Sequence, residues 1–162
     1  MKNTLLYLLL FSYSFCFAQP EKPSSAAIYN KLEKLNFLGT ALYIAAHPDD
    51  ENTRLISFLA NDVKARTGYL SLTRGDGGQN LIGLELRELL GVIRTQELIE
   101  ARKVDGGEQF FSRANDFGYS KVPNETLQIW EKGKVLQDMV WVIRKFRPDV
   151  IITRFDHRTP GS

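Results

Sequence analysis

The sequence is poor in the residues that bind metals and form cross-links. Its 162 residues include one cysteine and two histidines, and the cysteine is Cys16, close to the amino terminus. A single cysteine excludes an internal disulfide framework and a cysteine-rich zinc site. Any metal site must therefore be built from His47, His157 and the carboxylates of Asp and Glu residues.

An excess of charge of one sign is also missing. The chain has 21 Lys and Arg residues against 19 Asp and Glu residues, which gives a net charge of +2, and it has no long basic run. Nucleic-acid-binding proteins usually carry a strong basic patch, so we expect no nucleic acid partner. Charged residues at 25% and hydrophobic residues at 43% are typical of a globular protein, and the length suits one domain.

The first 18 residues have the pattern of a signal peptide. Lys2 gives a basic start, residues 5–11 are apolar, and small residues allow cleavage after Ala18. The apolar run is too short for a comfortable transmembrane helix, so we expect no stable membrane span after cleavage. Cys16 raises the alternative of a lipid anchor, although bulky residues before it favour simple cleavage. We therefore expect an exported protein, periplasmic or secreted.

Apolar runs and helical patterns alternate along the rest of the chain. Residues 19–37 are interpreted as a linker and an amphipathic helix, and residues 38–162 as one domain. Strands are predicted at residues 41–46, 67–73, 108–111 and 150–153, and helices at residues 26–38, 53–60, 84–104 and 125–146. This alternation predicts an α/β fold, a Rossmann-like three-layer sandwich with a mainly parallel sheet.

The stretch YIAAHPDDEN, residues 43–52, ends a buried strand and begins a helix. Ligands of open α/β sheets bind beyond the carboxyl ends of the strands, which is where this corner lies. His47 and Asp50 are three residues apart and can converge on one point, where a histidine and a carboxylate supply two of the three protein ligands of a common hydrolytic zinc site. Asp49 lies between them and is free to act as a base on a metal-bound water.

The same residues also suit an ordinary helix start. Acidic side chains in a first helical turn interact favourably with the helix dipole, so Asp49, Asp50 and Glu51 would then be a cap and a solvated face. The histidine after a buried strand, in a chain with only one other histidine, favours the metal interpretation. Glu51 is expected to cap the helix or to lie behind the metal ligands.

Four segments together resemble the PIG-L / LmbE-like zinc-dependent de-N-acetylases, which remove acetyl groups from N-acetylglucosamine-containing substrates. AHPDDE resembles the signature of that family, and LSLTRGDGGQN resembles its second strand and glycine-rich loop, with Asp76 where the family usually has Glu. GVIRTQELIEA resembles its Arg-x-x-Glu helix, and RPDVII resembles the strand before its last ligand motif. The resemblance implies that residues 38–162 form an LmbE-like deacetylase domain.

The resemblance also implies roles for individual residues. His47 and Asp50 match the zinc ligands of the family, and Asp49 matches its general base. Arg94 matches an arginine that contacts substrate, and Asp116 matches, more loosely, a residue that binds sugar hydroxyls. From the spacing alone, Arg94 and Glu97 would be a helix-surface ion pair of small energetic value.

The third zinc ligand of the family comes from a histidine motif after the last of these strands. In this chain the corresponding sequence is TRFDHRTPGS, and His157 is its one histidine. Because this setting differs from the family motif, we expect the third ligand beyond Ser162, in a longer protein, with His157 as the alternative. The domain is then expected to be incomplete at its carboxyl end, and the chain by itself to be inactive.

These features predict a zinc-dependent hydrolase of linear amide C–N bonds, which deacetylates a small-molecule amino-sugar conjugate or a glycan. Two alternatives remain open. One is a non-catalytic sugar-binding module on the same fold, and the other is a metal-dependent amidase of a non-sugar conjugate. A His and carboxylate site also accepts other divalent metals, such as Fe²⁺ or Co²⁺.

Overall fold

The computed structural model describes residues 22–156, and its centre is a four-stranded parallel sheet. The strands are β1 (Thr40–Ala45), β2 (Arg66–Ser71), β3 (Glu108–Phe111) and β4 (Val150–Thr153). Their order is β3-β2-β1-β4, and every neighbouring pair is parallel. The predicted strands are thus confirmed in position, with shifts of one or two residues at the ends of the first two.

Five α-helices accompany the sheet in the described part of the chain. They are α1 (Ser25–Lys34), α2 (Thr53–Ser57), α3 (Glu88–Asp105), α4 (Pro123–Ile129) and α5 (Lys132–Phe146), and a π-helical turn at Phe58–Asp62 continues α2. Almost all of α1 belongs to a first unit that ends at Glu33, whereas the sheet belongs to a second unit that begins at Lys34. None of the described helices has the length and apolar character needed to cross a membrane.

Neighbouring residues of a strand point to opposite faces of the sheet, so a buried strand presents apolar side chains on both faces. Helices cover both of these faces. On one face, Leu42 of β1 packs in a buried cluster with Val142 and Phe146 of α5. On the other face, Tyr43 packs with Ile56 of α2 and with α3. Burial of each large apolar side chain contributes about 1.5–3 kcal/mol. The expected three-layer α/β architecture is therefore confirmed.

Helix α3 begins later than the sequence pattern predicts. The expected helix started at residue 84, but α3 starts at Glu88. The Asn80 side chain accepts hydrogen bonds from the backbone N–H groups of Ile82 and Gly83, at 3.1 and 2.9 Å, and so holds this segment in a turn. Arg87 then has φ of 53°, outside the helical region. The apolar residues after Asn80 are consequently exposed rather than helical core.

The predicted helix over residues 125–146 is two helices, α4 and α5. The break falls at Glu131, whose φ of 51° and ψ of 70° are left-handed. Just before it, the indole Nε1 of Trp130 donates to the Asn115 carbonyl at 2.8 Å, which fixes the end of α4 against the loop after β3. A long-range contact of this kind overrides a continuous helical pattern in the sequence.

The predicted signal peptide and Cys16 lie outside the described residues, as does His157. Cleavage, export and any part of His157 in metal binding stay predictions.

Candidate active site

Three loops meet at the carboxyl edge of the sheet. The corner that contains His47 follows β1, the glycine-rich loop follows β2, and the segment that leads to Asp116 follows β3. The first two loops are joined because Thr73 Oγ1 donates to the Ala46 carbonyl at 3.0 Å. The parallel topology thus brings residues 47–50, 73–78 and 116 to one place, as expected from the rule that sites lie at this edge.

The His47–Asp50 corner is closed by contacts in both directions. Asp50 Oδ2 accepts a hydrogen bond from the backbone N–H of His47 at 3.0 Å, and the Asp50 N–H donates to the His47 carbonyl at 3.3 Å. The side chains also meet, with His47 Nδ1 lying 3.3 Å from Asp50 Oδ2. This pairing raises the pKa of His47 and lowers the pKa of Asp50 from their ordinary values.

The donor set of this corner suits two ligands of a zinc ion. Ligand atoms at about 2.0–2.2 Å from a tetrahedral zinc lie roughly 3.4 Å apart, close to the separation of Nδ1 and Oδ2. Within residues 22–156, however, no three His, Cys, Asp or Glu side chains converge in a way that would hold a metal. The described residues therefore offer one histidine–carboxylate pair at this corner, without a third such side chain in place to complete a metal site.

Asp116 lies near Nε2, the second ring nitrogen of His47. Its Oδ1 lies 3.8 Å from His47 Nε2, and the side chain is 6% exposed. The same oxygen accepts a hydrogen bond from the Gly118 N–H at 3.0 Å, and the Asp116 N–H donates to Asp76 at 3.4 Å. Asp116 is therefore fixed beside His47.

A cavity of about 330 Å³ opens in front of the corner. Its wall is formed by residues of all three loops and of α3, namely His47, Pro48, Asp49, Gly75, Gly77, Gly78, Gln79, Leu90, Arg94, Asp116 and Gly118. Four of the five residues singled out from the sequence are in this list, and the fifth, Asp50, contacts His47. The structure thus brings all five predicted site residues together.

Arg94 has two carboxylate neighbours. Its Nη1 lies 3.1 Å from Glu97 Oε2, which is the helix-surface pair that the spacing suggested. Its Nη2 lies 3.5 Å from Asp49 Oδ2, and Asp49 remains 75% exposed. Arg94 therefore makes the helix-surface pair and also lines the cavity, and the Asp49 carboxylate beside it is open to solvent.

Glu51 does not cap the helix that follows the corner. Asn52 caps α2 instead, since its side chain accepts from the Leu55 N–H at 3.0 Å. Glu51 turns inward to Arg102 of α3, with 3.5 Å between Oε1 and Nη2, and both side chains are over nine-tenths buried. Burial raises the pKa of Glu51, and its Oε2 has no hydrogen-bond partner among the described residues.

Two buried tyrosines beneath the corner were missed from the sequence. Tyr69 donates its hydroxyl to the His47 carbonyl at 2.5 Å, and Tyr43 donates to the Asp50 carbonyl at 3.5 Å. Burial raises the pKa of Tyr69. Each tyrosine has the pattern of a buried strand residue, and only the pairing of β1 with β2 shows that both reach the corner.

The parallel sheet, the three convergent loops and the histidine–carboxylate pair define an α/β domain with a polar corner at the carboxyl edge of its sheet. The sequence model of the PIG-L family, described as GlcNAc-PI de-N-acetylase, matches residues 42–161. The chain belongs to the PIG-L family. No curated protein matches it.

Solved structures with the same fold include two deacetylases and a hydratase. N,N'-diacetylchitobiose deacetylase from Pyrococcus horikoshii is 19% identical, with 82% of this chain and 51% of that chain covered and a TM-score of 0.53. A deacetylase of teicoplanin biosynthesis is 18% identical, with 70% and 57% covered and a TM-score of 0.50. The 4-carboxy-2-hydroxymuconate hydratase GalB from Pseudomonas putida KT2440 is 16% identical, with 70% and 46% covered and a TM-score of 0.52.

These likenesses establish the LmbE-like α/β fold. The chain spans about half the length of the solved structures that it matches.

Proposed function

We propose that the protein is a metal-dependent N-deacetylase that acts on an N-acetylglucosamine-type conjugate. The observation that carries this proposal is the 3.3 Å approach of His47 Nδ1 to Asp50 Oδ2, at the carboxyl end of a central strand. Membership of the PIG-L family and the two structurally similar deacetylases support it. The proposed metal is zinc, although the same donors also suit other divalent ions.

In this proposal His47 and Asp50 hold the metal, together with a third ligand from outside the described residues. A bound zinc would supply Lewis acidity and lower the pKa of a bound water towards neutrality. The Asp49 carboxylate takes a proton from the attacking water and returns it to the amine nitrogen as the amide C–N bond breaks. The products are acetate and the free amino sugar.

Arg94 and Asp116 are assigned to the substrate. Asp116 is 6% exposed and fixed by Gly118, so its carboxylate can accept hydrogen bonds from sugar hydroxyls without reorganising. Arg94 reaches the mouth of the cavity and can donate to an oxygen of the substrate while it holds Asp49. Orienting groups that are already in place lower the entropic cost of reaching the transition state.

The roles of the two aspartates are separated by the variants Asp49→Asn and Asp50→Asn. Acetate release from N,N'-diacetylchitobiose and zinc affinity are measured for each variant in the full-length protein, because the proposed third metal ligand lies outside the described residues. Loss of a general base lowers kcat by about 10²–10⁴-fold, so Asp49→Asn should lose activity and still bind zinc. Asp50→Asn should lose both. Full activity in Asp49→Asn would disprove the assigned base.

A sugar-binding module without catalysis is the second candidate, because the described residues supply only two metal ligands. It predicts that the full-length protein binds N,N'-diacetylchitobiose but releases no acetate from it at saturating zinc. A metal-dependent amidase of a non-sugar conjugate would use the same residues, and a screen of acylated amines against acylated amino sugars distinguishes it.

We also propose that the protein is exported through its amino-terminal signal peptide. Sequencing of the mature amino terminus tests this proposal.

A further inference from the structure

Two tyrosines lie side by side under the candidate metal corner. Tyr43 of β1 and Tyr69 of β2 are partners in the strand register. They are 4% and 0% exposed, and their rings meet edge to face with centroids 5.9 Å apart. Phenylalanine would fill the same space, so the two hydroxyls call for a separate explanation.

Each hydroxyl contacts the backbone of one half of the metal-binding pair. Tyr69 donates to the carbonyl of His47 at 2.5 Å, and Tyr43 reaches the carbonyl of Asp50 at 3.5 Å. A buried hydroxyl is costly unless it is hydrogen-bonded, and these two find their partners at the residues whose side chains face each other across the corner. The tyrosines thus reach His47 and Asp50 through their backbone carbonyls, and neither tyrosine lines the cavity.

The ring of Tyr69 is itself held in place. The Arg102 guanidinium lies 5.3 Å from its centroid. Arg102 is in turn immobilised by Asp105, with Nε lying 2.9 Å from Oδ2, and by Gln109, with Nη1 lying 3.2 Å from Oε1. The Tyr69 hydroxyl therefore has little freedom to move, and it can fix the position of the His47 carbonyl.

We propose that Tyr43 and Tyr69 are positioning residues, whose hydroxyls set the orientation of His47 and Asp50 for metal binding. This inference rests on the proposed function, since it concerns the same metal. The tyrosines act through the backbone of the two ligands and do not touch the metal or the substrate. Partners that orient metal ligands typically change metal affinity by about 10–100-fold when they are removed.

The test uses Tyr69→Phe and Tyr43→Phe, with Tyr119→Phe as the matched control because Tyr119 is 64% exposed. Zinc affinity of the full-length protein is measured by competition with a chromophoric chelator, after far-UV circular dichroism has verified the fold. Tyr69→Phe should weaken zinc binding by about 10–100-fold. Tyr43→Phe should weaken it less, because its hydrogen bond is longer, and the control should match the wild type.

A second measurement does not need the metal. The imidazole ¹⁵N resonances of His47 are recorded in the metal-free protein and are assigned with the help of His157→Gln. The chemical shifts of these resonances should change in Tyr69→Phe, because a new orientation of the His47 ring alters the distance from Nδ1 to Asp50. They should be unchanged in Tyr119→Phe.

The two measurements separate this inference from the proposed function. If the wild type binds no zinc while the His47 resonances shift in Tyr69→Phe, the metal-dependent function fails and the positioning role stands. Zinc affinities within twofold of wild type in both Phe variants, with unmoved His47 resonances, would overturn the positioning role. If Tyr69→Phe fails to fold, Tyr43→Phe decides by the same two criteria.

Discussion

Arg94 Nη2 lies 3.5 Å from Asp49 Oδ2, which links helix α3 to the acid at the corner of β1. The same guanidinium pairs with Glu97 at 3.1 Å on the surface of its own helix. The two contacts differ in kind, because Asp49 and Arg94 line the cavity whereas Glu97 does not. Separate substitutions of Arg94 and Glu97 therefore distinguish a role of Arg94 at the cavity from its surface ion pair with Glu97.

Arg94→Gln is expected to lower kcat/KM for deacetylation by about 10–100-fold. A hydrogen bond to a charged group contributes about 1.5–3 kcal/mol, and each 1.36 kcal/mol is a tenfold change in rate. Glu97→Gln is the matched control and should stay within about twofold, since exposed helix pairs contribute about 0.3–0.5 kcal/mol. Equal effects of the two variants on steady-state kinetics would contradict a substrate role for Arg94.

Arg102→Met should destabilise the protein by about 3–5 kcal/mol, because it leaves buried carboxylates without their cation. Arg102 is 4% exposed, and Asp105 and Glu51 are 7% and 8% exposed. The free energy of unfolding in urea measures the effect.

The neighbouring Lys103 offers a control on the same helix. Its ion pair with Glu100 is 2.6 Å long, but its side chain is 65% exposed. Lys103→Met should therefore change the free energy of unfolding by less than about 1 kcal/mol. If Lys103→Met and Arg102→Met lowered the free energy of unfolding by similar amounts, the buried ion pairs of Arg102 would contribute no more to stability than an exposed pair.

Asp138→Asn should destabilise the protein at pH 7 and not at pH 2. The Arg113 guanidinium lies 2.7 Å from Asp138 Oδ1, and its hydrogen bonds lower the pKa of Asp138. A lowered pKa in the folded state stabilises the protein above the unfolded pKa of about 3.9, and this stabilisation is lost as the pH falls through the folded value. At pH 7 the difference should be small, because the arginine is exposed and solvent screens its ion pair.

Urea unfolding at a series of pH values from 7 to 2 measures this difference. Asp62→Asn is the control, since Asp62 is exposed. Its difference from wild type should stay near zero throughout. A wild-type advantage over Asp138→Asn that persists at pH 2 would contradict the assignment.

Gly77→Ala should destabilise the protein and weaken sugar binding. A Cβ atom at Gly77 would overlap the carbonyl group of Asp116 and would lie 2.6 Å from its Oδ1. Overpacking of this kind costs about 1–3 kcal/mol, and here it displaces a residue of the cavity wall. In Gly133→Ala, within α5, the added Cβ would meet no atom within 4 Å apart from its chain neighbours and the local helix backbone, so this variant should instead stabilise by up to about 1 kcal/mol. Thermal unfolding and sugar titration measure both effects.

Much of the fold and of the candidate site could be predicted because the signals are local. The apolar runs of β1 and β4 are short and clearly bounded, and His47, Asp49 and Asp50 are adjacent in the sequence. The topology of a parallel sheet then places the loops after β1, β2 and β3 at one edge. Asp116 could be found only through the family resemblance, since no spacing connects it to the corner.

What could not be predicted depends on contacts between distant residues. The indole of Trp130 bonds to Asn115 and accompanies a break in an otherwise continuous helical pattern. Glu51 looks like a helix cap in the sequence, but it pairs with Arg102, which is 51 positions away in a different helix. Tyr43 and Tyr69 have the pattern of ordinary core residues. Their positions under the corner depend on the register between β1 and β2, which the sequence of a single strand does not determine.

The central position of β1 determines when the site is lost during unfolding. β1 is hydrogen-bonded to β2 on one side and to β4 on the other, and it carries the corner at its end. Amide protons in such a strand exchange with solvent mainly through global opening, whereas edges and loops open locally at lower free energy. Deuterium should therefore reach residues 41–45 last, and the side chains of His47 and Asp50 follow directly after the slowest-exchanging part of the described chain.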